Sequence, residues 1–393
     1  MNRNRLTYSR TDYALLVAVI LLVAWGLIMV YSATFMMADY PPHYLQRQLL
    51  WAALGSVVLV VLYRLDYRVL RSLALPIMGV SMLSLVAVLI LARNQETQIW
   101  FLRGSVQPSE FAKLAFIIYI AAWLASKGDR IRDVTYGLVP FAILLGAVTG
   151  LILVQPDIGT AMLIVATAVS MFFISGAELS QLLIGLAVGA PVLYLIISGS
   201  SVAQERLRVF FHLGSDLEGL DLQVANVLSA IRLGGITGRG LGAGTQKLYP
   251  PFVHHTDTIL SVIGEELGVL GCLAVILLFL FIAYRGLVIA FRATDAFGTL
   301  LAFGVTTWMV FQATIHIGGN TATLPFTGIT LPFVSYGGSS LIMCLAGAGV
   351  LLSISRLGTD RKLSTSATFG FGRRNRRARL SRSRSSRGTA RSR

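Results

Sequence analysis

Charge is scarce in this sequence. Only 13% of its 393 residues are Asp, Glu, Lys or Arg, 55% are hydrophobic, and the mean hydropathy is +0.72. A soluble domain carries about 25% charged residues, so an ordinary soluble fold is excluded and counting domains by length does not apply. Cysteine is nearly absent. Cys272 and Cys344 both sit in apolar runs, which excludes a disulfide framework, leaves them as small packing residues and says nothing of the redox compartment. Acidic residues are the scarcer sign, 18 against 33 Lys+Arg, for a net charge of +15. That excess is local: residues 359–393 hold twelve Lys+Arg and one Asp, and the other 358 residues carry +4. With few aromatics in the basic tail and no nucleic-acid-binding motif beside it, the charge does not point to nucleic acid. No cleavable signal peptide is expected: the first apolar run, Tyr13 to Tyr31, is too long for one and lacks a small-residue cleavage site.

What is present is a series of apolar runs near the ~20 residues a membrane span needs. They fall at 12–35, 48–63, 73–92, 109–126, 134–154, 157–175, 181–198, 258–284, 296–317 and 337–356. The expected fold is therefore an all-α polytopic membrane protein of about ten transmembrane helices, with a large, partly helical outer loop between the seventh and eighth. Arg3, Arg5 and Arg10, then Arg64, Arg68 and Arg71, then Lys127, Arg130 and Arg132, then Arg285 and Arg292, and finally the tail all fall on one side. The positive-inside rule makes that side cytoplasmic. The expected organisation is a cytoplasmic N-terminus at 1–11, a membrane domain at 12–357 with its outer loop at 198–257, and a basic cytoplasmic tail at 358–393. The tail is Ser/Arg-rich from Ser364 and is expected to be disordered. In the outer loop, Val224, Val227, Leu228 and Ile231 have helical spacing, and a glycine-rich turn follows.

Four polar motifs interrupt the apolar pattern. Gln107-Pro108-Ser109-Glu110-Phe111-Ala112-Lys113 opens the fourth span, with Pro108 suited to a helix start. Glu110 and Lys113 are i,i+3 and share a face, as a functional buried pair or as a surface ion pair above the lipid. Gln155-Pro156-Asp157-Ile158-Gly159-Thr160 makes a tight turn in which Asp157 or Thr160 caps the next helix. Gly234, Gly235, Gly238, Gly240, Gly242 and Gly244 give a backbone whose N–H groups are able to face phosphates, followed by Gln246, Lys247, His254, His255 and Asp257. No further Cys or His cluster completes a zinc site, and Asp257 is open to two readings, a cap or a catalytic carboxylate. Leu331 to Ser340 brings Ser335, Ser339 and Ser340 to the start of the last span, as caps or as the rim of a polar cleft.

QPSEFAK, QPDIGTA, HTDTILSVIGEELG and LPFVSYGGSSL, in this order, resemble the SEDS family of bacterial cell-envelope proteins, the RodA/FtsW type, from about Asp12 to Arg356. The resemblance implies a peptidoglycan glycosyltransferase of the inner membrane. It would polymerise lipid II, a disaccharide-pentapeptide on undecaprenyl pyrophosphate, at the outer face. A class B penicillin-binding protein and other divisome or elongasome proteins are implied as partners. The family's essential loop aspartate falls on Asp257, its Glu/Lys pair on Glu110 and Lys113, and its loop arginine on Arg206. The sequence departs from the family pattern at Ile99, Asn226, Arg232-Leu233 and His316, where Arg, Gln, Gly-Ser and Asn are usual.

The chemistry so implied is inverting transfer, with Asp257 as base and as the candidate metal-bearing carboxylate. Arg206, Lys247 and Lys113 are the cations for the leaving pyrophosphate, with or without Mg²⁺ or Mn²⁺. Gln246, Gln107, Ser109, Asp157, Ser335 and Ser339 are the remaining substrate-binding candidates. A lipid II flippase and a non-catalytic scaffold are the rival readings.

Overall fold

The computed structural model describes residues 11–34, 41–91, 107–211, 219–245 and 256–358. The sequence readings for the first arginines, Ile99 to Arg103, Gln246, Lys247, His254, His255 and the tail lie outside these residues.

Twelve α-helices follow in chain order: α1 (Tyr13–Thr34), α2 (Pro41–Arg64), α3 (Arg68–Leu91), α4 (Pro108–Lys127), α5 (Val139–Val154), α6 (Ile158–Ile174), α7 (Leu179–Gly199), α8 (Ser201–Phe211), α9 (Gly219–Gly234), α10 (Ile259–Arg292), α11 (Ala296–Asn320) and α12 (Gly338–Leu357). No strand occurs among the described residues. Among the described residues nine helices are long and apolar enough to cross a membrane, and the expected tenth span is α6, apolar but only 17 residues long. At 1.5 Å per residue it reaches ~26 Å, the lower edge of a bilayer core. The span expected at 48–63 belongs to a helix that starts at Pro41, and the one expected at 258–284 continues to Arg292. Helical hydrogen bonding carries on past the apolar window in both, so hydropathy alone cut them short.

Helices α4, α11 and α12 form the centre of the bundle, whereas α7 lies at its edge and buries only Gln181. The centre is built on small side chains. Ala346-Gly347-Ala348-Gly349 on α12 admits α2 on one side and α11 on the other. A Cβ at Gly349 would lie 2.6 Å from the Leu59 carbonyl, and one at Gly347 would lie 2.8 Å from Met309 Cε. Lipid offers no hydrophobic drive between helices, so such close approach supplies the packing.

The two ends of the bundle differ. At one end Arg285 grips the buried Asp12 with bonds of 2.6–3.1 Å, and the Asp12 N–H donates to Ser355 Oγ. The first and last helices therefore have their outer termini at the same end, as an even number of crossings requires. At the other end stand the starts of α4, α6, α10 and α12 and the end of α11. Here α8 and α9, the helices expected in the long loop, pack Val209 and Val224 against Phe326.

Helix α10 is broken where the glycine-rich loop meets it. Gly268 has φ 68° and ψ −167°. Val269 N and Leu270 N donate to Gly235 O and Ile236 O, and Arg239 N and Gly240 N donate to Glu265 O and Glu266 O. The loop thus replaces the helical bonds that the break removes, which satisfies backbone groups that hydrocarbon cannot. A Cβ at Gly238 would meet the Glu266 carbonyl at 2.2 Å, so this contact needs glycine.

Candidate active site

The site end is organised by the starts of four helices and a non-helical strap, Thr327 to Thr330. Asp157 precedes α6. Its Oδ1 accepts from Thr160 N at 3.0 Å, and its Oδ2 accepts from Gln107 Nε2 at 3.2 Å and Ser109 Oγ at 3.1 Å. The expected cap is present, and the same carboxylate ties α4 to α6. Gln107 N donates to Ser339 Oγ at 3.3 Å, which ties the start of α4 to α12. Ser335 Oγ accepts from Leu331 N at 2.8 Å within its own turn. Gln107, Ser109, Asp157 and Ser339 are thus brought together, while Ser335 serves the turn beside them.

Asp257 precedes α10, and its side chain does not cap that helix: Thr258 holds the cap position, with no side-chain cap bond. Of its two sequence readings, the cap is therefore absent. Asn320 Nδ2 holds the Asp257 carbonyl at 3.0 Å. The carboxylate faces Gly328, where a Cβ would lie 3.5 Å from Asp257 Oδ2 and 3.8 Å from Arg206 Nη2. Burial pushes the Asp257 carboxyl up to about 7, against the opposing pull of the Arg206 guanidinium and a hydrogen bond from Thr256. Burial likewise lowers the proton affinity of Arg206, against the pull of Asp157, Asp257 and Glu205. Arg206 Nη1 donates to Thr327 O at 2.9 Å. Arg206 also borders a small apolar hollow with Val209, Phe210, Val224, Leu324 and Phe326.

Glu110 and Lys113 lie deeper and are nearly inaccessible. Lys113 Nζ is 2.8 Å from Glu110 Oε2 and 3.0 Å from Gln312 Oε1, and it stands 5.6 Å from the Trp308 ring centroid. Of the two sequence readings, the solvated surface pair is therefore wrong. Lys113 has a full set of partners where it stands.

The glycine run does not offer the phosphate cradle that its composition suggests. Gly240 N goes to Glu266 O, Gly242 N to Glu266 Oε2 at 3.0 Å, and Thr245 N to Glu265 Oε1 at 2.7 Å. Ser32 Oγ also donates to Glu266, at 2.6–2.7 Å. The run anchors the loop to α10. Sequence reasoning assigned no role to Glu265, Glu266, Gln312, Asn320 or the strap. A signal for α11 was present: Gln312, His316 and Asn320 are spaced i, i+4, i+8 on one face of a membrane helix.

Fold and site together define a multi-pass helical membrane protein with a sheltered carboxylate–arginine site at one end of its bundle. The profile of the cell cycle protein family FTSW_RODA_SPOVE matches residues 13–359, and the chain belongs to that family. It is 38% identical over 353 residues to a probable peptidoglycan glycosyltransferase FtsW of Trichlorobacter lovleyi, covering 88% of this chain and 93% of that one. It is 35% identical over 355 residues to the stage V sporulation protein E of Bacillus subtilis, covering 88% and 97%. Among solved structures, it resembles a peptidoglycan synthase complex that coordinates polymerization and crosslinking (TM-score 0.74, 30% identity, covering 88% and 98%). It also resembles the rod shape determining protein RodA of Thermus thermophilus (TM-score 0.65, 30% identity, covering 90% and 98%).

Proposed function

We propose that this enzyme is a peptidoglycan glycosyltransferase that polymerises lipid II at the face bearing Asp257, in division or in shape control. That face is then the outer face of the bacterial inner membrane, with both termini cytoplasmic. The observation that carries the reading is a single one: a half-buried carboxylate that does not cap its helix and faces an arginine across Gly328, at the end of a membrane bundle. A general base works best with an affinity near the operating pH.

In this mechanism, Asp257 takes the proton from the 4-hydroxyl of the acceptor sugar. The oxygen attacks the anomeric carbon of the donor chain from the face opposite the pyrophosphate, and the configuration inverts. The C–O bond to undecaprenyl pyrophosphate breaks with its electron pair on the leaving phosphate. Arg206 supplies fixed positive charge for that group, in a site shielded from water. Lys113, held by Glu110 and Gln312, acts on the architecture of the site. Lys247 and Gln246 remain candidates on the adjoining loop.

A divalent cation would need oxygens from the substrate. Among the described residues no three His, Cys, Asp or Glu side chains converge on one point. Asp257 supplies one carboxylate, which suits Mg²⁺ bound jointly by protein and substrate phosphates. Such an ion would add charge neutralisation at the pyrophosphate.

The partner that fits a crosslinking role is a class B penicillin-binding protein. The test is purified full-length chain with labelled lipid II, with and without that partner and with EDTA. Glycan chains are expected. Lipid movement across the bilayer without product would make the protein a flippase, and neither outcome would make it a scaffold.

A further inference from the structure

The strap Thr327 to Thr330 lies between two ionic groups that do not touch. Its carbonyls are held by side chains of two helices. Arg206 Nη1 on α8 donates to Thr327 O at 2.9 Å, His316 Nδ1 on α11 lies 2.7 Å from Ile329 O, and Gln312 Nε2 on α11 donates to Thr330 O at 2.9 Å. Gly328, with φ 71°, is the strap residue that faces both Asp257 Oδ2 and Arg206 Nη2. The path of the strap therefore sets where the arginine stands relative to the carboxylate.

The Gln312 end of the strap is itself fixed. Gln312 Oε1 accepts from Lys113 Nζ at 3.0 Å and from Trp308 Nε1 at 2.8 Å. Ammonium and indole N–H are donors only, and the Thr330 carbonyl accepts only, so the amide has a single workable orientation. A flipped amide would set its NH₂ against two donors and its oxygen against a carbonyl. Gln312 is fully buried. Hydrogen-bonded polar networks in a low-dielectric interior are rigid, and this one runs from Lys113, ion-paired to Glu110, through Gln312 to the strap.

We propose that Gln312 is a positioning residue for glycosyl transfer: it fixes the strap to the Glu110–Lys113 pair and so holds Arg206 in place beside Asp257. The inference rests on Asp257 being the base. Two consequences follow for a variant that frees the strap. Substrate binding at the outer surface is little changed, whereas the transition-state geometry loosens. Arg206, drawn also by Asp157 and Glu205, is then free to leave its place beside Asp257.

Two substitutions separate the ends of the link. Gln312→Glu keeps an acceptor for Lys113 and Trp308 but has no donor for the Thr330 carbonyl. Gln312→Met keeps the length and loses both. Initial rates of glycan formation from fluorescent lipid II are measured against lipid II concentration with the full chain in nanodiscs, beside thermal midpoints. The expected result is kcat lower by about tenfold and KM within about twofold, with Gln312→Glu folded like the parent. A parental kcat, a change carried by KM, or a loss that follows loss of folded protein in both variants overturns the positioning role and leaves Gln312 a core residue. A parent chain that makes no glycan with its partner present refutes the functional reading itself, and this inference with it.

Discussion

Asp157 and Asp257 each stand just ahead of an apolar helix at the same end of the bundle, and the sequence offers a helix cap as one reading of both. The structure separates them. Asp157 accepts three hydrogen bonds, from the first turn of its own helix and from the start of α4. Asp257 is half-buried without capping its helix, faces an arginine across a glycine, and has its carboxyl raised to about 7. A carboxylate that fastens two helices is architecture. One that is desolvated beside an arginine is a group whose proton is near balance, and perturbed groups of this kind cluster at functional sites.

The Glu110–Lys113 pair sharpens the comparison, because it is buried more deeply than Asp257 and its charges compensate each other at 2.8 Å. Glu110→Gln leaves Lys113 with its charge uncompensated in a dry core. The expected cost is about 3–5 kcal/mol, read as a fall in thermal midpoint or in yield of folded protein. Exchanging the two residues, Glu110→Lys with Lys113→Glu, is expected to recover part of it. Parental stability in Glu110→Gln would mean that the pair is not the dry clamp described above.

Removing Asp157 tests the architectural half. Asp157→Ala loses a cap and two inter-helix bonds, and a destabilisation of about 2 kcal/mol is expected. Asp157→Asn keeps the cap acceptor and is expected to lose much less.

Asp257→Asn is expected to go the other way. The folded-state proton affinity of Asp257 lies above its ordinary value of 3.8, so the native state holds a proton that the unfolded chain releases. Stability therefore falls as pH rises from about 4 to about 7 and stays level above that. The Asn variant lacks this penalty. Its thermal midpoint should exceed the parent's above about pH 7, and the gap should close toward about pH 4. A variant less stable than the parent at alkaline pH would contradict the burial argument.

The smallest effect is expected from the tail. Each basic residue near an anionic leaflet is worth about 1 kcal/mol of surface attraction. Deleting Ser364 to Arg393 should weaken binding to anionic vesicles and leave polymerisation in detergent unchanged. A truncated chain that folds but makes no glycan would give the tail a role in the reaction.

Much of this was legible beforehand. Apolar runs located the spans, because every backbone group in lipid must be satisfied within the segment. Glu110 and Lys113 were visible as charges at helical spacing, though spacing alone did not reveal that they are buried. Asp257 and Arg206 were indicated by resemblance, and what singles out Asp257 depends on Gly328, 71 residues further along. The strap has no periodicity and its role lies in its carbonyls, which carry no sequence signature. The glycine run misled for the same reason: composition announced free N–H groups, and tertiary pairing with the break in α10 uses them.

The most direct measurement is the rate of glycan formation from lipid II against pH for the parent, Asp257→Asn and Asp157→Asn, each verified as folded. The account expects the parent to gain activity through an acid limb near pH 7. It expects Asp157→Asn to keep that limb at less than tenfold loss, and Asp257→Asn to fall by about 10² or more and lose the limb. A folded Asp257→Asn that polymerises at the parental rate, with the limb intact, would contradict it.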